Sequence, residues 1–142
     1  MRIDHIFVLA GGRGTRSADP SIPKFAQKLS SAVDVADFLL QALEDFPEAE
    51  TTWVLGEHSE YVLARIGERA KSDRIVFDQI SGTAISLREA AREVGDGKAL
   101  VMLADTVIAL PLRALVERLP ESDGSCFFGR FSDHAWDSDH LV

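Results

Sequence analysis

The sequence predicts an α/β protein, with a mostly parallel sheet covered by helices on both faces in three layers, α/β/α. Three observations carry this prediction. Five apolar runs of strand length alternate with four runs of helical period. The strand runs are apolar at successive positions, the pattern of strands buried on both sides. The first of them opens into a glycine-rich loop rather than a tight hairpin turn.

The first strand covers residues 3–10 and centres on Ile6-Phe7-Val8-Leu9. The first helix then sets Val35, Leu39, Ala42 or Leu43, and Phe46 along one face. Residues 52–55 make the second strand, and Val62, Ile66 and Ala70 line the helix after it. Residues 74–77 make the third strand. Its helix aligns Ala84, Leu87, Ala91 and Val94 and is expected to stop at Gly95 and Gly97. Residues 98–103 make the fourth strand. Leu112, Leu115, Val116 and Leu119 follow as a helix face, with Pro111 suited to its first turn. Residues 125–131 make the fifth strand.

Strand–helix alternation of this kind gives parallel strands joined by right-handed crossovers, a Rossmann-like arrangement with strand order about 3-2-1-4-5. Ligands in such sheets bind beyond the C-terminal ends of the strands. In that order the first and fourth strands are neighbours. The glycine loop after the first and Asp105 after the fourth would therefore face one crevice.

The chain has 142 residues, enough for one domain with its own core. Apolar residues make up 46%, and no run reaches the length of a membrane span. Met1-Arg2-Ile3-Asp4-His5 leads directly into a strand, unlike a signal peptide. The single cysteine, Cys126, sits in an apolar run and reads as buried and inert. These features lead us to expect a cytoplasmic protein that does not bind membranes. The net charge of −8 argues against nucleic-acid binding, which needs a basic face. The charge is uneven, however. Residues 13–28 carry four basic side chains and one acid, Asp19, which suits a small anionic ligand held at one place.

That basic stretch contains the main motif, Leu9-Ala10-Gly11-Gly12-Arg13-Gly14-Thr15-Arg16, followed by Pro23-Lys24. Three glycines allow a sharp turn and close backbone approach, and consecutive N–H groups in such a turn cradle an anion. Arg16 offers a planar fork for phosphate oxygens, and Lys24 a point charge. Arg13 and Lys28 are weaker candidates. The string is not a P-loop, which needs Gly-x-x-x-x-Gly-Lys-Ser/Thr. It fits only half of a dinucleotide fingerprint, because Ser17 stands where the third glycine belongs. Pro20 and Pro23 keep the loop from continuing as a helix.

Elsewhere, Asp105 closes an apolar strand. A carboxylate there suits Mg²⁺, which shares its oxygen ligands with phosphate and water. Its alternative role is to cap the following turn. Gly82 and Thr83 open the third helix, either beside a ligand or with Ser81 or Thr83 as a simple cap. Asp133, His134, Asp137, Asp139 and His140 read as a solvated tail rather than a metal site.

The glycine string with Pro23-Lys24 resembles the signature of the sugar-phosphate nucleotidyltransferases, covering the N-terminal part of their catalytic domain. The resemblance implies a fold and an activity: an NMP moves from an NTP to a phosphorylated acceptor such as a sugar 1-phosphate, and pyrophosphate leaves. It implies that Leu9, Ala10, Gly11, Gly12, Arg13, Gly14 and Thr15 hold the nucleotide, that Arg16 and Lys24 act in catalysis, and that Asp105 binds Mg²⁺. A family segment of Gln followed by Gly-Thr-Ala further implies base contacts from Gln79, Gly82 and Thr83, although Gln79 lies closer to Gly82 than the family spacing. Residues 1–142 then form one nucleotidyltransferase-like domain, shortened at its C-terminus. The family's later strands, which hold the acceptor and often a second metal-binding Asp, are missing. Lys28-Leu29-Ser30-Ser31-Ala32 also replaces a Gly-Lys-Pro segment. Two alternatives follow: a nucleotide-binding module that needs a partner or further chain for turnover, and a dinucleotide-binding domain, disfavoured by Ser17. A homo-oligomer is left open, and a truncated or dimeric protein should expose an apolar surface.

Overall fold

The computed structural model describes residues 2–12, 22–77, 82–108 and 111–119. Four strands form one sheet: β1 (His5–Ala10), β2 (Glu50–Leu55), β3 (Arg74–Phe77) and β4 (Ala99–Leu103). All neighbours are parallel, and the order is β3-β2-β1-β4. β1 is central, with Val8 level with Trp53 on one side and Met102 on the other. This is the predicted order for the first four strands. The predicted fifth, residues 125–131, lies outside the described residues.

β1 begins at His5 rather than at residue 3. The chain before it is fixed by another device: the Asp4 N–H donates to the Lys98 carbonyl, and Asp4 Oδ2 accepts from Lys98 N–H at 3.0 Å. β2 starts two residues earlier than predicted, at Glu50.

The helices are α1 (Val35–Glu44), α2 (Ser59–Ile66), α3 (Thr83–Ala91) and α4 (Leu112–Val116). α1, α2 and α4 cover one sheet face. Ile6, Val8, Trp53, Leu55 and Met102 from the sheet meet Leu39, Leu43, Val62, Ile66, Leu112 and Val116 there. Burying a side chain such as Leu39 stabilises by about 1.5–3 kcal/mol, well above helix-propensity differences, so packing decides where these helices sit. The predicted faces of α1 and α2 are the buried ones. Ala70, placed on the second face, falls instead in a 3-10 turn (Gly67–Lys71) and is half-buried.

α3 covers the other face, over Phe7 and Val54. Leu87 and Val94 of the predicted face pack against this cluster, but the alanines depart from the prediction. Ser86 and Ala90 are buried, whereas Ala84 and Ala91 are exposed. Alanine is small enough to sit on either side, so its spacing did not fix the face. Ser86 tolerates burial because its hydroxyl donates to the Gly82 carbonyl at 2.9 Å. Nor do Gly95 and Gly97 end this helix, which stops at Ala91. Gly97 has a packing role, since a Cβ there would lie 2.9 Å from Asp4 Cβ.

The sheet is not evenly covered among the described residues. Val101 and Leu103 of β4 are level with Phe7 and Leu9 and share their face, yet are 44% and 48% exposed. No helix among the described residues is long and apolar enough to cross a membrane.

The start of α1 is heavily tied. Asp34 occupies its N-cap, accepts the Asp37 N–H at 3.0 Å, and donates its own N–H to the Asp37 carboxylate at 2.8 Å. Lys28 Nζ and Arg65 Nε reach the same Asp34 carboxylate at 3.5 and 3.4 Å, and Arg65 also bonds Asp37. Burial alone would raise the Asp34 pKa. The Arg65 side chain and the Asp37 N–H outweigh it, so the carboxyl is held below its ordinary value. Asp34→Ala should cost about 2 kcal/mol in urea unfolding at pH 7, from the lost cap and from the loss of one of Arg65's two carboxylate partners. Asp34→Asn keeps an accepting oxygen but no charge. Because the folded carboxyl titrates below its unfolded value of 3.8, its stabilisation is full above that value and disappears as pH falls through the lower folded one. The gap between parent and Asp34→Asn should therefore close on acidification; a gap that widened would contradict this account.

Candidate active site

All four strands end on one edge of the sheet, and Gly11, Gly12, Lys24 and Asp105 lie there. β1 ends at Ala10 and passes into Gly11 and Gly12. The Leu9 carbonyl accepts the Ala104 N–H at 3.1 Å, which ties the exit of β1 to the exit of β4. Ala104 is buried, and Asp105 follows it in a turn closed by a bond from Thr106 N–H to the Leu103 carbonyl.

Lys24 arrives from the far end of the glycine loop. It opens a 3-10 turn, Lys24–Ala26, closed by the Ala26 N–H donating to the Pro23 carbonyl at 2.8 Å. Phe25 anchors this turn. It is 3% exposed and meets Trp53 edge-to-face at 6.1 Å between ring centroids. Trp53 is itself fixed, its indole Nε1 donating to Asp73 Oδ2 at 2.8 Å. With Phe25 sunk into the core, Lys24 projects the other way, and its Nζ lies 3.1 Å from Asp105 Oδ2. The two residues are 81 positions apart in sequence. The Asp105 carboxylate thus bonds Lys24 rather than capping its own turn.

Both partners are substantially exposed, at 44% and 39% of their side chains, so the pair adds at most about 1 kcal/mol to stability. An ammonium and a carboxylate thus meet at the exits of β1 and β4, open to solvent. Among the described residues no group of three His, Cys, Asp or Glu side chains could hold a metal by itself. A lone carboxylate fits Mg²⁺, which keeps waters and takes its other ligands from phosphates. Asp105 fits the ion on those terms.

The remaining sequence candidates divide. Lys28 pairs with Asp34 and not with Asp105. Gly82 holds the N-cap position of α3 with φ +89°, exposed, and with nothing within 4 Å of a built Cβ. Thr83 is the first residue of α3. Arg13, Gly14, Thr15, Arg16 and Gln79 lie outside the described residues. His5 is remote, at the opposite end of β1; its buried Nδ1 has no hydrogen-bond partner, with Glu50 Oε2 at 3.8 Å.

Two residues of this edge escape sequence reasoning. Phe25 looks like an ordinary loop aromatic until its contact with Trp53 is seen. Gly56 directly follows β2 and stands against Gly11. An apolar strand ending in glycine occurs at both β1 and β2, and that repetition was the available signal.

A parallel sheet in this order, with glycines leaving its central strand and an acid leaving the next, is a Rossmann-like α/β fold, and several solved nucleotidyl transferases share it. Solved structures bear this out. The chain is similar to a nucleotidyl transferase from Methanothermobacter, with TM-score 0.63 and 22% identity over 83% of this chain and 58% of that one. It is similar to HddC from Yersinia pseudotuberculosis, with TM-score 0.64 and 21% identity over 81% of this chain and 53% of that one. It is also similar to the inositol-1-phosphate CTP transferase from T. maritima, with TM-score 0.62 and 20% identity over 87% of this chain and 51% of that one. The chain therefore spans little more than half the length of these structures. No family model and no curated protein sequence matches it.

Proposed function

We propose that this chain carries the nucleotide-binding half of a nucleotidyltransferase that moves an NMP from an NTP to a phosphorylated acceptor, of which a sugar 1-phosphate is the leading candidate. The observation that carries the reading is the meeting of Lys24 and Asp105, 3.1 Å apart, at the exit of β1 and β4. An oxygen of the acceptor phosphate attacks the α-phosphorus, the bond to the bridging oxygen breaks, and pyrophosphate leaves. No covalent intermediate with the protein is needed.

The backbone from Leu9 to Thr15 would hold the triphosphate. Arg16 and Lys24 would neutralise charge that builds up on the transferring group. Asp105 would hold Mg²⁺, which supplies further charge neutralisation and orients the phosphates. Gln79, Gly82 and Thr83 would contact the base. The likeness to an inositol-1-phosphate CTP transferase supports a phosphorylated hydroxyl compound as acceptor. The reaction belongs in the cytoplasm, a reducing compartment that suits a chain with one cysteine.

One observation favours a second reading, a binding module completed by a partner or by further chain. The chain matches only 51–60% of the solved structures' length, and β4 leaves Val101 and Leu103 exposed. One experiment separates the two. Each NTP is incubated with Mg²⁺ and a panel of sugar 1-phosphates, and pyrophosphate release is followed alongside equilibrium binding. Release supports transfer, binding without release supports the module, and failure to bind any NTP defeats both.

A further inference from the structure

Gly56 closes tightly on Gly11, the first residue of the glycine loop. β1 and β2 run in register up to Ala10 opposite Leu55. The next step brings Gly11 against Gly56. A Cβ built on Gly56 would fall 2.4 Å from the Gly11 carbonyl oxygen, 2.7 Å from its Cα and 2.9 Å from its carbonyl carbon. Carbon atoms in contact prefer about 3.5–4.0 Å. All three obstructing atoms are backbone, so no rotamer change relieves the overlap.

Neither side has room to retreat. Leu55 is fully buried, and the Gly56 carbonyl accepts the Ser59 N–H at 3.0 Å, which ties this turn to α2. Leu9 is held to Ala104. A side chain at Gly56 would therefore move the first peptide of the loop. That peptide joins the Gly11 carbonyl to the Gly12 N–H, and a trans peptide is planar with the two groups opposed. With its oxygen pressed against Gly56, its N–H is aimed away from Gly56. Among the described residues, nothing lies within 4 Å of a Cβ built on Gly12.

We propose that Gly56 is a positioning residue: by admitting the Gly11 carbonyl, it aims the Gly12 N–H at a bound phosphate. This rests on the nucleotidyltransferase reading of the loop. The test uses inorganic tripolyphosphate with Mg²⁺, which probes the phosphate cradle without a base, and Mg·NTP beside it. In ¹⁵N spectra of the parent, the Gly12 amide should shift on adding tripolyphosphate. Gly56→Ala should raise the dissociation constants for tripolyphosphate and NTP alike, about tenfold, and Gly56→Val should raise them further. In ligand-free Gly56→Ala the Gly11 and Gly12 amides should move while the Trp53 indole resonance stays in place.

Unchanged affinity in a folded Gly56→Ala would overturn the proposal. So would a parent Gly12 amide that ignores tripolyphosphate, a measurement that needs no variant to fold. The two readings fail separately. Parent protein that binds tripolyphosphate at Gly12 but transfers no NMP leaves Gly56 in its role and removes the transferase. Parent protein that transfers NMP while Gly56→Ala does so equally well does the reverse.

Discussion

Lys24→Gln is expected to slow nucleotidyl transfer by about 10²–10³-fold, with the loss falling mainly on kcat. The magnitude is that of removing one preorganised charge aimed at the group being transferred. Stability should hardly change, because the Lys24–Asp105 pair is exposed and such pairs contribute about 0–1 kcal/mol. Anchoring of the turn is also preserved, since Phe25 and not Lys24 packs against Trp53. A second effect has the opposite sign. In the free protein Lys24 occupies the carboxylate proposed to take Mg²⁺, so removing the ammonium should strengthen the binding of a divalent ion alone, by a few-fold at most given the weak pair. Mn²⁺ titration followed by proton relaxation reads this directly. A Lys24→Gln protein with parental kcat would remove the catalytic assignment.

Asp105→Asn is the second large effect. It preserves size and one oxygen but deletes the charge. The parent should bind NTP much more tightly with Mg²⁺ than without, and in the variant that difference should vanish. The expected weakening of Mg·NTP binding is about 10²-fold, the scale on which a buried or ligand-facing charge is lost. Calorimetry in the presence and absence of Mg²⁺ measures both quantities. If Asp105→Asn kept its Mg²⁺ enhancement, the ion would have to sit elsewhere. Magnesium withdrawal from the parent should mimic the variant.

Much of this was legible from sequence, for a physical reason. Runs such as Ile6-Phe7-Val8-Leu9 are buried on both sides, so their composition reports their place in the sheet. The long crossovers fixed the parallel order, and that order put the glycine loop and Asp105 at one crevice before any distance was known; that Lys24 is the residue to meet Asp105 was not foreseen. What stayed hidden depends on partners far away in sequence. Gly56 matters only because Leu55 lies level with Ala10, a register that one strand's sequence does not contain. Asp34 is the meeting point of Lys28 and Arg65, a role that depends on partners no local pattern around it contains. The face of α3 was only half legible: Leu87 and Val94 lie on it, whereas its alanines carry little information about burial and a buried position fell to Ser86. Uneven cover over β4 was hidden too, since Val101 and Leu103 look like core residues in the sequence.

The 81-residue separation between Lys24 and Asp105 has a consequence for the growing chain. β1 is made first but acquires β4, its second neighbour, only after β2 and β3 have been made. During synthesis, Lys24 must wait for the residues that separate it from Asp105 before its acidic counterpart exists. A nascent chain that ends before residue 105 has Lys24 without its partner carboxylate, so this ion pair closes only after β4 is made.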